Sequence, residues 1–150
     1  MPENHLRNYF VLSGFLFALD QLFKYLAYNH QSFRLYLIKP WLGWEYFPNP
    51  GIAFGLPVPQ KLILLFTPLI LAALIYWWKK NKHKTNQFYL GVFFIFAGAL
   101  SNLIDRIVFN ITIDYLRVLT SVMNLADIII VIGAFMLLST QKNTTKTKNS

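Results

Sequence analysis

The chain carries only six acidic residues, Glu3, Asp20, Glu45, Asp105, Asp114 and Asp127, and four are aspartates in or at the edge of long apolar runs. A carboxylate at the centre of a membrane helix costs roughly 2.5–3.5 kcal/mol, so each needs a partner or a task. Asp20 and Lys24, in DQLFKYLA, are four apart and share a helix face, the spacing of an internal ion pair. Asn102, Asp105 and Arg106, in SNLIDRI, also share a face. Arg106 is expected to snorkel toward the interface, and Asp105 beside it to be ionised and paired, a structural group rather than a catalytic one.

Asp114, in NITIDYL, follows the third apolar run, in a segment that reads as an extended strand or a re-entrant turn. Asp127, in MNLADIIIVIGAF, lies six residues into the fourth run, roughly 9 Å below its outer end, with Asn124 on its face. Both aspartates thus fall where interface gives way to hydrocarbon. Two carboxyls meeting in a low dielectric cannot both ionise easily, so one is pushed toward the protonated form and the pair shares a proton. Such a dyad can activate water with one carboxylate and polarise a scissile carbonyl with the other. It needs neither a thiol nor a metal. The chain has no cysteine, and His5, His30 and His83 show no ligand spacing and lie outside the apolar runs. No cofactor is expected.

Intramembrane aspartates also build proton relays and ion sites in transporters. NLID at 102–105 and NLAD at 124–127 echo each other as an inverted repeat would, although the flanks do not continue the echo. On the residues alone, an aspartic peptidase and a small ion- or proton-coupled transporter both stand. A non-catalytic scaffold locked by its charges is a third reading.

The composition says what must position these groups. The chain of 150 residues is 55% hydrophobic and 17% aromatic but only 13% charged, which points to a membrane protein forming one domain. Four runs, about 9–28, 62–78, 88–107 and 121–138, are long enough to span about 30 Å of hydrocarbon. The first is too long for a cleavable signal peptide, carries Asp20 and Lys24, and precedes no small-residue cleavage site. The net charge of +8 could serve nucleic acid, but Arg7, Lys79, Lys80, Lys82, Lys84, Lys142, Lys146 and Lys148 would all lie on one side of a four-span chain. That bias puts both termini in the cytoplasm and argues against nucleic acid. Residues 29–60 and 108–120 then face outward. SFRLYLI and WLGWEYF read as short strands of a small sheet at the outer surface, the alternative being an aromatic belt without a sheet; either puts Trp41, Trp44, Tyr46 and Phe47 at headgroup level. GLPVPQKL, with its prolines, delays the second helix. The tail from about 141 to 150 is expected to be disordered.

Five ordered blocks resemble the lipoprotein signal peptidase (signal peptidase II) family: DQLFKYLA, NPGIAFGL, AGALSNLIDRI, IDYL and NLADIIIVIG. The resemblance spans nearly the whole chain. It implies an α-helical integral membrane aspartic endopeptidase of the bacterial inner membrane, with four spanning helices and an extracytoplasmic β-cradle. Such enzymes cut prolipoproteins on the amino side of a diacylglyceryl-cysteine and are inhibited by globomycin-type cyclic peptides. By motif position, the dyad would be Asp114 and Asp127, and Asn49 and Gly51 would belong to a substrate-binding loop. Asn102, Arg106 and Asn124 would line the site, and Asp20 and Lys24 would serve folding and stability. Membrane lipids would surround the enzyme. Two details depart from the family pattern: YLRVLTSVM is short for the loop between the two aspartates, and Met123 stands where phenylalanine is common. Loop-level substrate contacts are therefore the least transferable part.

Overall fold

The computed structural model describes residues 3–51, 58–81 and 85–146. Ile52–Pro57 of the NPGIAFGL and GLPVPQKL blocks lie outside the described residues, as do Lys82, Lys84 and Lys148 of the basic set.

The described residues form four helices and two pairs of strands. The helices are α1 (Glu3–Asn29), α2 (Gln60–Lys80), α3 (Asn86–Phe109) and α4 (Leu125–Lys146), and the strands are β1 (Arg34–Ile38), β2 (Leu42–Asn49), β3 (Thr112–Val118) and β4 (Ser121–Met123). One pair of strands lies between α1 and α2 and the other between α3 and α4. Local chemistry sets several boundaries. Thr85 caps α3, its Oγ1 accepting the Phe88 N–H at 3.1 Å. At the other end, Asn110 takes the left-handed conformation (φ 58°) and its N–H returns to the Arg106 carbonyl. The α4 helix opens on a reciprocal cap: Asn124 Oδ1 accepts the Asp127 N–H at 2.8 Å, while Asp127 Oδ2 lies 3.4 Å from the Asn124 N–H.

The first two expected strands form, and SVM, placed at the start of the fourth span by sequence, instead forms β4. The hairpin turns at Leu119 (φ 55°) and Thr120, so the apolar character of the segment continues through a chain reversal. Asp127 is consequently in the first turn of α4 rather than two turns inside it. At the far end, α4 stays helical to Lys146, within the stretch expected to be disordered.

All four strands form one antiparallel sheet in the order β1-β2-β3-β4. The α1–α2 connection supplies β1 and β2, and the α3–α4 connection supplies β3 and β4. Their pairing brings the C-terminal ends of α1 and α3 and the N-terminal ends of α2 and α4 to the same end of the molecule. Among the described residues, three helices are long and apolar enough to cross a membrane, and α4 adds a shorter apolar stretch, Leu125–Thr140. Phe10, Phe15 and Leu22 on α1, Leu65 and Leu69 on α2, and Phe135 on α4 are exposed. Such outward apolar faces suit lipid contact. Three such helices and the apolar stretch of α4 are the architecture of a multi-pass membrane protein.

The α3–α4 seam is the closest helix pair. A Cβ at Gly98 would lie 2.6 Å from the Ala126 carbonyl oxygen, so glycine there allows direct backbone contact. At the sheet end, Ala27, Ile113 and Tyr115 form a core under Phe23 and Trp44.

Candidate active site

Between the helices and the sheet lies a continuous polar network. Lys24 is 2% exposed, and its Nζ meets Asp20 Oδ2 at 2.8 Å, Asp105 Oδ2 at 2.9 Å, Asn102 Oδ1 at 2.8 Å and Ser101 Oγ at 3.2 Å. The expected Asp20–Lys24 pair therefore forms, but Asp105 pairs with Lys24 rather than Arg106. Adjacent helical residues do not face one another, so Asp105 turns toward α1, where its Oδ2 also accepts the Ile113 N–H at 3.1 Å. Arg106 does not snorkel. It is buried, and its guanidinium donates to the Gly51 carbonyl at 3.1 Å and the Asn102 carbonyl at 3.3 Å. Its Nε, also buried, has no partner among the described residues.

Asn102 carries the network to the first candidate aspartate: it accepts from Lys24 and donates Nδ2 to Asp127 Oδ1 at 2.8 Å. Asn124 carries it to the second. Its Nδ2 donates to Asp114 Oδ1 at 2.6 Å while its Oδ1 accepts the Asp127 N–H. One amide thus holds the strand that carries Asp114 to the helix that carries Asp127. Asn49 Nδ2 closes the other side of Asp114, reaching Oδ2 at 2.9 Å, and its own Oδ1 accepts the Gly51 N–H at 2.9 Å. The β2–β3 register explains this reach, since Asn49 pairs with Thr112 and Phe47 with Asp114 across the ladder.

Asp114 has no exposed surface, whereas Asp127 is half-buried. Burial, and then the nearby Asp127 charge, push the Asp114 carboxyl up to about 7, against the donors of Asn49 and Asn124 and the Lys24 charge. At neutral pH, Asp114 is therefore poised to hold a proton.

The residues singled out by sequence are joined in space: Asn49, Gly51, Asn102, Arg106, Asp114, Asn124 and Asp127 form one hydrogen-bonded set, resting on Asp20, Lys24 and Asp105. Three members were not foreseen. Ser101 Oγ donates to Asp20 Oδ2 at 2.6 Å, Gln21 donates to Ser101 Oγ at 2.8 Å, and the Tyr115 hydroxyl donates to Asp20 Oδ1 at 2.9 Å. Ser101 and Gln21 each adjoin a singled-out residue, which was the only signal available. Tyr115 reads as an ordinary aromatic of an alternating strand.

The sequence model of the family described as signal peptidase (SPase) II matches residues 12–141. A lipoprotein signal peptidase of Chlorobium phaeobacteroides (strain BS1) is 35% identical over 146 residues, covering 86% of this chain and 92% of the relative. A protein of the same name from Clostridium novyi (strain NT) is 33% identical, covering 79% and 86%. A bacterial membrane enzyme solved by the in meso method at 2.3 Å shares the fold with a TM-score of 0.85 at 24% identity, over 94% of this chain and 91% of that one. A second, solved at 1.9 Å, gives 0.76, also at 24% identity.

Proposed function

This chain belongs to the signal peptidase II family of proteases, and we propose that Asp114 and Asp127 are its catalytic dyad, cutting lipoprotein signal peptides by water attack. The observation that carries the assignment is the Asn124 side chain, which donates to one carboxylate and accepts from the backbone of the other. Family membership favours a peptidase over the transporter and scaffold readings that the residues alone left open.

The roles follow from the difference between the two carboxyls. Asp114 is the member placed to carry the shared proton, because burial and a second acid push its carboxyl up to about 7. Asp127 is the more accessible group and takes a proton from the attacking water. The water oxygen bonds to the scissile carbonyl carbon as the proton on Asp114 moves to the carbonyl oxygen. When the tetrahedral adduct collapses, the C–N bond breaks and the proton taken from water goes to the departing amine. The second proton returns to the dyad, and no other reactant is consumed.

The binding groups are amides and one guanidinium. Asn49, Gly51, Asn102, Arg106 and Asn124 surround the two carboxyls, and the buried Arg106 Nε is a donor with no partner among the described residues. A peptide backbone carbonyl satisfies such a donor. The proposed substrate is a prolipoprotein bearing a diacylglyceryl-cysteine, whose acyl chains hold the scissile bond in the outer leaflet. Four crossings with both termini in the cytoplasm would put the sheet and dyad on that side, as the basic residues favour. Globomycin-type cyclic peptides are proposed to compete for the same cleft.

The test is cleavage in liposomes of a prolipoprotein presented with and without its diacylglyceryl group. Release of a mature chain beginning at the modified cysteine, from the lipidated form only, is expected. Equal cutting of both forms, or a cut elsewhere, would reject the substrate assignment.

A further inference from the structure

The structure assigns to Tyr115 the part of a positioning residue for the reaction proposed above: its hydroxyl pins the first turn of α4, and with it Asp127, to the strand that carries Asp114. The inference rests on the peptidase reading for its kinetic consequence and on geometry alone for the contact itself.

A helix begins with N–H groups that have no partner within the helix. In water these are solvated. At the start of α4 the chain supplies its own acceptors. The Leu125 N–H donates to the Tyr115 hydroxyl oxygen at 3.0 Å, the Ala126 N–H to Asp20 Oδ1 at 3.1 Å, and the Asp127 N–H to Asn124 Oδ1 at 2.8 Å. The same Tyr115 hydroxyl donates its proton to Asp20 Oδ1 at 2.9 Å. One phenol thus connects three elements: β3, the α1 carboxylate and the α4 terminus.

The ring cannot drift from this position. Tyr115 is 2% exposed, with Phe23 edge-on at 5.6 Å between centroids and Trp44 at 4.8 Å. Tyr115 directly follows Asp114 in the chain, and Leu125 stands two residues before Asp127. Any slip of α4 against β3 at this contact changes the separation of the two carboxyls. Phenylalanine would keep the ring packing but leave the Leu125 N–H without an acceptor and remove a donor from Asp20. Tyr115 is buried and its hydroxyl is engaged by Asp20 and the Leu125 N–H, so its effect belongs in turnover rather than in binding.

The experiment compares the full-length protein with Tyr115→Phe in liposomes, reading steady-state cleavage of a lipidated prolipoprotein and hydrogen exchange at individual amides. Misplacing a reacting group by about 1 Å costs on the order of 100-fold, so a smaller slip is expected to lower kcat about tenfold. KM should stay within about twofold, and the Leu125 and Ala126 amides should exchange faster. Leu71→Ala on α2, which packs chiefly on α3, serves as a control for general loss of stability. Unchanged kcat in Tyr115→Phe, or a loss no greater than in a Leu71→Ala protein of equal melting temperature, would overturn the inference. Phe23→Leu loosens the clamp on the ring without removing a hydrogen bond and should also speed exchange at those two amides. Unchanged exchange in both variants would equally overturn it. A wild-type protein that cleaves nothing would sink the peptidase reading, while the exchange data would still decide the contact.

Discussion

Asp114 is the residue at which the physical chemistry makes its sharpest demand. Its carboxyl is pushed up to about 7, first by burial and then by Asp127, although Asn49 and Asn124 both donate to it. Because the folded state binds this proton more tightly than the unfolded chain, the native protein loses stability as pH rises from about 4 to about 7 and gains nothing back above it. The contribution is on the order of 4 kcal/mol. Melting of the wild type is therefore expected to fall from pH 5 to pH 7.5 more steeply than melting of Asp114→Asn, which lacks the titration. Activity should fall along a basic limb near pH 7 as the shared proton leaves. Parallel melting curves for the two proteins would contradict the assignment of that titration. Much of this was readable in the sequence, because two aspartates at similar depth, one with an asparagine on its face, already imply a shared environment. What could not be read was who neutralises whom. Lys24 serves Asp105 as well as Asp20, and that pairing joins residues 81 positions apart that only the α1–α3 packing brings together. Arg106, adjacent to Asp105 in sequence, points elsewhere.

At the level of elements, the α3–α4 seam sets where Asp127 sits. Gly98 faces the Ala126 carbonyl, and a methyl added there would approach it to 2.6 Å and the Ile130 side chain to 2.7 Å. Neither helix can yield locally, since the contact on α4 is backbone. Gly98→Ala is expected to cost about 1–3 kcal/mol in unfolding, the usual range for overpacking. It should also depress turnover, because Ala126 adjoins Asp127. Thermal melting alongside cleavage rates checks both, and a variant with wild-type melting and rate would show that the seam does not set the site. The long apolar runs made the helices legible, and period-2 alternation did the same for β1 and β2. The start of α4 was not legible. Val122 and Met123 are as apolar as the helix that follows, and the β3–β4 turn at Leu119–Thr120 contains none of the glycine, proline or asparagine residues that normally mark one. Pairing with β3 decided the conformation of that segment, and pairing is a tertiary fact.

Taken whole, the molecule places one carboxyl on a sheet and the other on a helix, and joins them through amides drawn from β2, α3 and the cap of α4. The sheet draws strands from both the α1–α2 and the α3–α4 connection, so no single hairpin or helix pair contains the site. The division of labour between the groups is accordingly a property of the assembled chain. Lys24 ties Asp20 on α1 to Asp105 on α3, whereas Asp114 and Asp127 are the pair proposed to act within that frame. The most direct measurement reconstitutes wild type, Asp114→Asn and Asp127→Asn in liposomes, records the melting temperature of each, and follows cleavage of a lipidated prolipoprotein. The dyad account predicts that both variants fold, with cleavage reduced at least roughly 1,000-fold in each, within the range that acid–base groups contribute. A folded Asp114→Asn or Asp127→Asn protein that cuts at the wild-type rate would contradict it.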